Sequence, residues 1–407
     1  MRNALAFAFI VVFLDSVGFS LLAPVMPSLL TEMGDTDAAG AAGINKWLAV
    51  AYASMQFIFG PLLGLLSDRF GRKPIILISV AALGCNYAIM AMAPSLWMIF
   101  VGQTIAGIAG ATYATAFAIA ADVSTPEKKA ANIGVISAGF GLGFILGPAL
   151  GGFISEFVGP RGPMWFAACL CLLNFGFGLF FYRETAPLRE APRPLRVSKA
   201  NPFANLAGLL RFDARSVLIS GFFALASANA VLPLIFAFFA KAQFAWSDGM
   251  IGSSLAAFGL GFAITQGLIL GLTLKTFDKL TILYLAIGLS ALGFATIAAA
   301  NETWVMFVAL AILALGGMVT PTLNAVISDT ATEAEQGAIQ GQIASIMALA
   351  SIISPFIHAP LFQFFLSDAA PFPWAGAPFA AAALLCLALV IPVRLGSRLS
   401  AAQPTPP

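Results

Sequence analysis

Twelve long apolar runs set what this chain can fold into. They lie at 4–30, 46–66, 75–93, 96–121, 131–156, 163–183, 215–240, 249–272, 280–299, 303–328, 337–362 and 374–394, separated by charged or Pro/Gly-containing breaks. Each is long enough to cross about 30 Å of hydrocarbon as a helix, and a helix satisfies its own backbone hydrogen bonds where water is absent. The runs do not alternate in ten-residue segments, which excludes a strand-built membrane barrel. Hydrophobic residues make up 60% of the chain and charged ones 9%, so the spans leave no room for a large domain outside the membrane. The net charge of +2 supplies no basic surface for nucleic acid. The expected fold is an all-α membrane protein of twelve transmembrane helices.

Assigning the loops alternately to two sides places 17 of the 20 basic residues on one side and only Lys46, Arg161 and Lys241 on the other. The positive-inside rule then makes both termini cytoplasmic, and a cytoplasmic (bacterial inner) membrane is the expected location. The first run is too long for a cleaved secretory signal and is interrupted by Asp15, so it reads as a retained span. Cys85, Cys169, Cys171 and Cys386 all fall inside apolar runs and read as small core hydrophobes. No disulfide framework, metal-ligand spacing, phosphate loop or Ser/His/Asp constellation is apparent, so neither a metal nor a cofactor nor catalysis is expected. His358, the only histidine, has no nearby carboxylate in the sequence and reads as structural.

The segment from Arg183 to Arg215 carries Pro187, Pro192, Pro194, Pro202 and seven basic residues. It divides the chain into a six-helix bundle at 1–183, a cytoplasmic linker at 184–212 and a second bundle at 213–407. Asn201 to Arg211 has apolar residues at helical spacing and a basic end, which suits either a short helix on the membrane face or a basic tether. The two halves repeat. A displacement of 207 residues sets Gly60 on Gly267, Arg72 on Lys279, Trp97 on Trp304, Gly110 on Gly317, Asp122 on Asp329 and Pro148 on Pro355 without a gap. Two six-span copies inserted the same way up describe the parallel-repeat architecture of alternating-access transporters, with substrate at the midplane.

The most specific string is Gly64-Leu-Leu-Ser-Asp68-Arg69-Phe-Gly71-Arg72-Lys73-Pro74, between spans two and three. Gly64 would allow close helix approach, Asp68 ends a helix, Gly71 permits a tight turn and Arg72 returns toward the acid. The string matches the GxLxDRxGRK signature at every fixed position, and the chain therefore resembles the major facilitator superfamily. That resemblance implies a cluster of Gly64, Asp68, Arg69, Gly71 and Arg72 with Asp122 of span four, acting as a latch whose ion pairs break on switching. The alternative is that these charges only enforce topology. Lys275, Phe277, Asp278 and Lys279 keep a degenerate copy, so an asymmetric latch is expected.

In span five, Gly143, Gly147 and Gly151 recur on one helix face with Pro148 and Gly152 beside them. A glycine face lets another helix pack closely. The string is similar to the GxxxGPxxGG motif of antiporters in the superfamily, which implies a role in leak-free switching as the alternative to packing alone.

Asp15 is the one formally charged residue near the middle of a span. An ionised acid there costs on the order of 2.5–3.5 kcal/mol on insertion scales, and low dielectric favours the neutral carboxyl. That suits a proton-binding site, or else a plain helix-to-helix hydrogen bond. The string around Asp15 resembles the first span of tetracycline and other drug:proton antiporters, as do Tyr52-Ala-Ser-Met-Gln56 and Asn86-Tyr-Ala-Ile-Met-Ala. The resemblance implies export of a small amphiphilic or aromatic molecule, such as a tetracycline-like antibiotic, in exchange for protons. Where the tetracycline exporters carry charged or ionisable groups, this chain has Asn86, Gln103, Phe262 and Ser290.

The remaining candidates for substrate contact are the neutral polar residues in mid-span: Gln56, Asn86, Gln103, Thr112, Asn229, Gln266 and Asn324, with Asn174 also in this set. Each could equally bond one helix to another. The expected partners are thus a small-molecule substrate, protons and the lipid bilayer, and the expected state is a monomer. An uncoupled facilitator and a non-transporting membrane sensor are the rival readings.

Overall fold

The computed structural model describes residues 2–402 apart from 111, 126–127, 183, 185–202, 204–205, 207–208, 210–212, 331 and 333–334. Of the expected linker at 184–212, only Glu184, Phe203, Leu206 and Leu209 are among the described residues, so most of the segment Asn201–Arg211, expected as a surface helix or a basic tether, lies outside them. The described residues form helices and no strand. Eleven helices among them are long and apolar enough to cross a membrane, and Ala4–Ser20 is a shorter apolar helix.

The expected first span is not one continuous helix. Arg2–Ser20 ends in a turn, and Met26–Gly34 resumes it. The physical reason is proline: Pro24 has no N–H to continue the ladder, and Pro27 sits in the first turn of the second piece, where that loss is harmless. The polar breaks read from the sequence act as caps. Asp37, Asp213 and Asp278 accept from the backbone N–H of Gly40, Ser216 and Thr281 at 2.8, 2.7 and 3.0 Å, opening spans two, seven and nine. Such a cap contributes about 1 kcal/mol. Gly71, at φ 102°, turns the chain between spans two (Ala38–Phe70) and three (Arg72–Met92), a conformation that glycine adopts without steric cost.

The chain forms two compact units, Met1–Asn201 with Trp246–Ala257, and Pro202–Ala245 with Phe258–Pro407. In the first, span one packs on span five (Lys129–Val158), and span three packs on span four (Leu96–Asp122) and span six (Gly162–Phe181). In the second, span seven (Ala214–Phe244) packs on span eleven (Gln336–Phe365), and span nine (Lys279–Ala299) on span ten (Thr303–Ser328) and span twelve (Ala377–Leu399). The partnerships are the same six spans apart, as the displacement of 207 residues requires. Large apolar side chains such as Phe157, Leu172 and Phe180 stay exposed, which suits faces turned to lipid. Two of the four cysteines depart from the expectation of a core: Cys171 and Cys386 are buried, but Cys85 and Cys169 are exposed, being small enough to sit on a helix face turned away from its neighbours.

Span five carries its glycines against span one. A Cβ at Gly143 would strike Ser16 and Val17, at Gly147 Ser20 and Val17, and at Gly151 the backbone of Leu21. Ser20 Oγ uses the approach to donate to the Gly143 carbonyl at 3.1 Å. Gly152 meets the backbone of Asp248 and Gly249 instead, and the Pro148 carbonyl lies against Gly252.

Candidate functional site

Span one delivers Asp15 into the interior of the first unit, where it is 4% exposed. Its Oδ1 accepts from Asn174 Nδ2 of span six at 3.4 Å, and its Oδ2 has no hydrogen-bond partner. The carboxyl lines a cavity of about 20 Å³ together with Tyr52, Tyr87, Gly110, Thr112 and Tyr113, room for about one water molecule. Three spans supply the tyrosines, and Ser16 shares a hydrogen bond with Tyr113 at 3.2 Å.

Span four is broken beside this cavity, into Leu96–Ala109 and Thr112–Asp122. The break exposes backbone groups that a continuous helix would pair. Gln56 Nε2 reaches the Gly110 carbonyl at 3.5 Å and the Tyr52 hydroxyl at 3.3 Å, while Thr112 Oγ1 is buried without a partner. Gln56, Thr112 and Asp15 are therefore brought together.

Asn86 and Gln103 are not in that group. Asn86 is buried with its Oδ1 against Gly102, and Gln103 Nε2 points at the Met90 sulfur at 3.7 Å. Both lie between spans three and four.

At the corresponding place the second unit tightens its helix rather than interrupting it, and it does not repeat the acid. Span ten passes from Thr303–Leu315 through a tight turn at Gly316–Met318 into Val319–Ser328. Gln266 Nε2 reaches the Gly317 carbonyl at 3.4 Å, the displaced counterpart of Gly110. Gln266 sits in a π-helical turn at Thr265–Ile269 of span eight, a feature frequent at functional sites. Asn324 accepts from Gln340 at 2.9 Å, and Asn229 is exposed at the end of the first helix of span seven. Phe262 fills the space beside Gly317, and Ser290 Oγ donates to the Gly316 carbonyl at 3.2 Å. His358 is buried with Nε2 2.8 Å from the Ser227 carbonyl.

At the foot of span three, Arg72 gathers three oxygens. Its Nη1 donates to Asp68 Oδ1 at 2.5 Å and Ser67 Oγ at 3.2 Å, and its Nε to Asp122 Oδ2 at 3.0 Å. Lys279 pairs with Asp329 at 2.5 Å, the same pair 207 residues on. Lys275 stands where Asp68 does, so the second cluster holds one acid fewer. Arg215 and Glu335 form a further pair at 2.9 Å. Arg69 stays outside the first cluster, its guanidinium lying over the Phe70 ring at 5.3 Å. Within the first unit, no described residue lies within 4 Å of where a Gly64 Cβ would be.

Two further contacts have little sign in the sequence. Glu184 accepts from the backbone N–H of Arg72 and Lys73 at 2.8 and 2.9 Å, capping span three where Gly71 offers no side chain. Asp248 accepts from Ser28 and Ser155 at 2.7 and 2.6 Å. A free helix N-terminus after glycine could have signalled the first; nothing local signals the second, because its partners are far apart in the chain.

Two like units, helical throughout the described residues, with the same partnerships and a corresponding ion pair in each, have the architecture of a membrane transporter. The model described as Major Facilitator Superfamily matches residues 8–216 and again 217–406, and the chain belongs to that superfamily. It is 35% identical over 397 residues to the tetracycline resistance protein, class C, of Escherichia coli, covering 97% of this chain and 98% of that one. It is 34% identical over 364 residues to the class E protein of the same organism, 89% of each. The human organic anion transporter MFSD10 (TETRAN) superposes with a TM-score of 0.70 at 23% identity, over 96% of this chain and 99% of that one, a likeness of fold alone.

Proposed function

We propose that this transporter exports a small amphiphilic or aromatic molecule, of the tetracycline-like or related drug class, in exchange for protons, with Asp15 as the proton-coupling residue. The observation that carries the reading is Asp15 itself. It is a buried carboxyl with one oxygen unpartnered, on a small cavity where span four is interrupted at Gly110. A group that must take up and release a proton needs that incomplete satisfaction, whereas a purely structural acid would have both oxygens bonded. The tetracycline resistance relatives support the substrate class. Gln56, Thr112 and Gln266, at the interruption of span four and the tight turn of span ten, are the first candidates for substrate contact, followed by Asn86, Gln103, Asn229 and Asn324. The Arg72 cluster with Asp68 and Asp122 acts as the conformational latch, and both termini face the cytoplasm.

A second reading, an uncoupled facilitator, has one observation in its favour. Asn86, Phe262 and Ser290 lie beside Gly102, Gly317 and Gly316, and none of the three carries a charge that could aid coupling. Counterflow of labelled tetracycline in liposomes with no accompanying proton movement favours the facilitator. Tetracycline uptake into everted vesicles that needs an imposed pH gradient and is lost in Asp15→Asn supports proton antiport.

A further inference from the structure

The internal repeat compares the Asp15 site with its own counterpart. At a displacement of 207 residues Asp15 falls on Phe222 and Thr112 on Val319. The register in span one holds residue by residue, since Val11, Val12 and Ser20 fall on Leu218, Ile219 and Ser227 and all six are buried. Span six needs a displacement of 215, which sets Pro163 on Pro378, Ala167 on Ala382 and Cys171 on Cys386, all on the buried faces of their helices. Asn174 then falls on Leu389. Phe222, Val319 and Leu389 belong to one hydrophobic cluster in the second unit. Helices with the same partnerships therefore pack well with apolar side chains at all three places.

Burying polar groups without well-formed partners costs stability, and here Asp15 Oδ2, Thr112 Oγ1 and Asn174 Oδ1 all lack a hydrogen bond of good geometry, although the Thr112 hydroxyl stands close enough to the Asp15 carboxyl to interact with it. A carboxyl that is ionised at one time and protonated at another needs a donor in the first state and an acceptor in the second. Asn174 offers an N–H₂ and a carbonyl, and a threonine hydroxyl both donates and accepts. The unpaired atoms are what the other protonation state would use.

We propose that Asn174 and Thr112 are the positioning residues of the Asp15 proton site, holding its carboxylate through Asn174 Nδ2 and accepting from its protonated oxygen through Thr112 Oγ1. The proposal rests on the reading of Asp15 as the proton-coupling residue. The proton binds at Asp15 Oδ2 and leaves from it, and no other bond is made or broken. The titratable groups facing Asp15 are Tyr52, Tyr87, Tyr113 and Cys171, while span five faces span one with Gly143, Gly147 and Gly151.

The test is infrared difference spectroscopy of the purified full-length protein across pH, with no substrate and no gradient. The protonated-carboxyl band that disappears in Asp15→Asn is expected to shift in frequency in both Thr112→Val, which is nearly isosteric, and Asn174→Leu, which installs the counterpart residue. Its pH midpoint is expected to be displaced by about one pH unit in Asn174→Leu, the size of one hydrogen bond to a charged group, and to return toward wild type in Asn174→Gln. Band and midpoint unchanged in both variants overturns the positioning role, whatever tetracycline export does. A band that moves as expected while export ignores Asp15→Asn keeps the positioning role and overturns proton-coupled export instead.

Discussion

Arg215 holds the Glu335 carboxyl down to about 2, chiefly through its hydrogen bond and with help from the Thr332 N–H and hydroxyl, from an ordinary value of 4.5. A depressed carboxyl contributes stability that is fully present above its unfolded value and lost as pH falls through the folded one. Glu335→Gln is therefore expected to melt below wild type at pH 7, with the gap closing between about 4.5 and 2; thermal unfolding in detergent across that range checks it. At the foot of span three, Arg72→Lys keeps the charge but loses the fork that serves Asp68 and Asp122 together. Its expected effect is slower tetracycline transport with no loss of expression, measured in vesicles. Asp15 and Arg72 were legible because a charge is costly in one place and part of a dense motif in the other. Asn174 was legible as polar but not as the partner of Asp15, since the two stand 159 residues apart and only the packing of spans one and six brings them together. Glu184 was missed because it serves a helix far from it in the chain.

At the scale of the helix, the stripe of Gly143, Gly147 and Gly151 was readable as a packing face, and the partner, span one, was not. A side chain at Gly151 meets the Leu21 backbone, which cannot rotate away. Gly151→Val is expected to cost about 1–3 kcal/mol, the usual price of overpacking. Gly141→Ala, where nothing lies within 4 Å, is expected to change stability by less than about 0.5 kcal/mol. Melting of the two variants side by side separates a packing face from a general intolerance of larger residues. The interruption of span four and the tight turn in span ten escaped the sequence reading because hydropathy runs unbroken through them. Their glycines are common in this chain, and only the Gln56 and Gln266 contacts single out Gly110 and Gly317. Span one broke where Pro24 and Pro27 fall, a signal that was present and outweighed by the length of the apolar run.

Across the whole chain, the repeat was legible in its register and in its ion pair, since the Arg72–Asp122 pair recurs as Lys279–Asp329. The longer displacement of span twelve was not, because the 207-residue register was matched only as far as Pro355, ahead of the loop at 366–376 that carries the extra residues. Nor did the sequence indicate that Trp246–Ala257, the start of span eight, packs with the first unit, where Asp248 accepts from Ser28 and Ser155. What distinguishes the two units most is the acid in one and the phenylalanine in the other. Coupling of transport to protons through Asp15 is read out by tetracycline accumulation in everted vesicles under an imposed pH gradient. Wild type is expected to accumulate the drug and to lose it when the gradient is collapsed, while Asp15→Asn, expressed and folded at the same level, accumulates none. Equal accumulation by Asp15→Asn, or accumulation in wild type that survives collapse of the gradient, overturns the coupling role of Asp15.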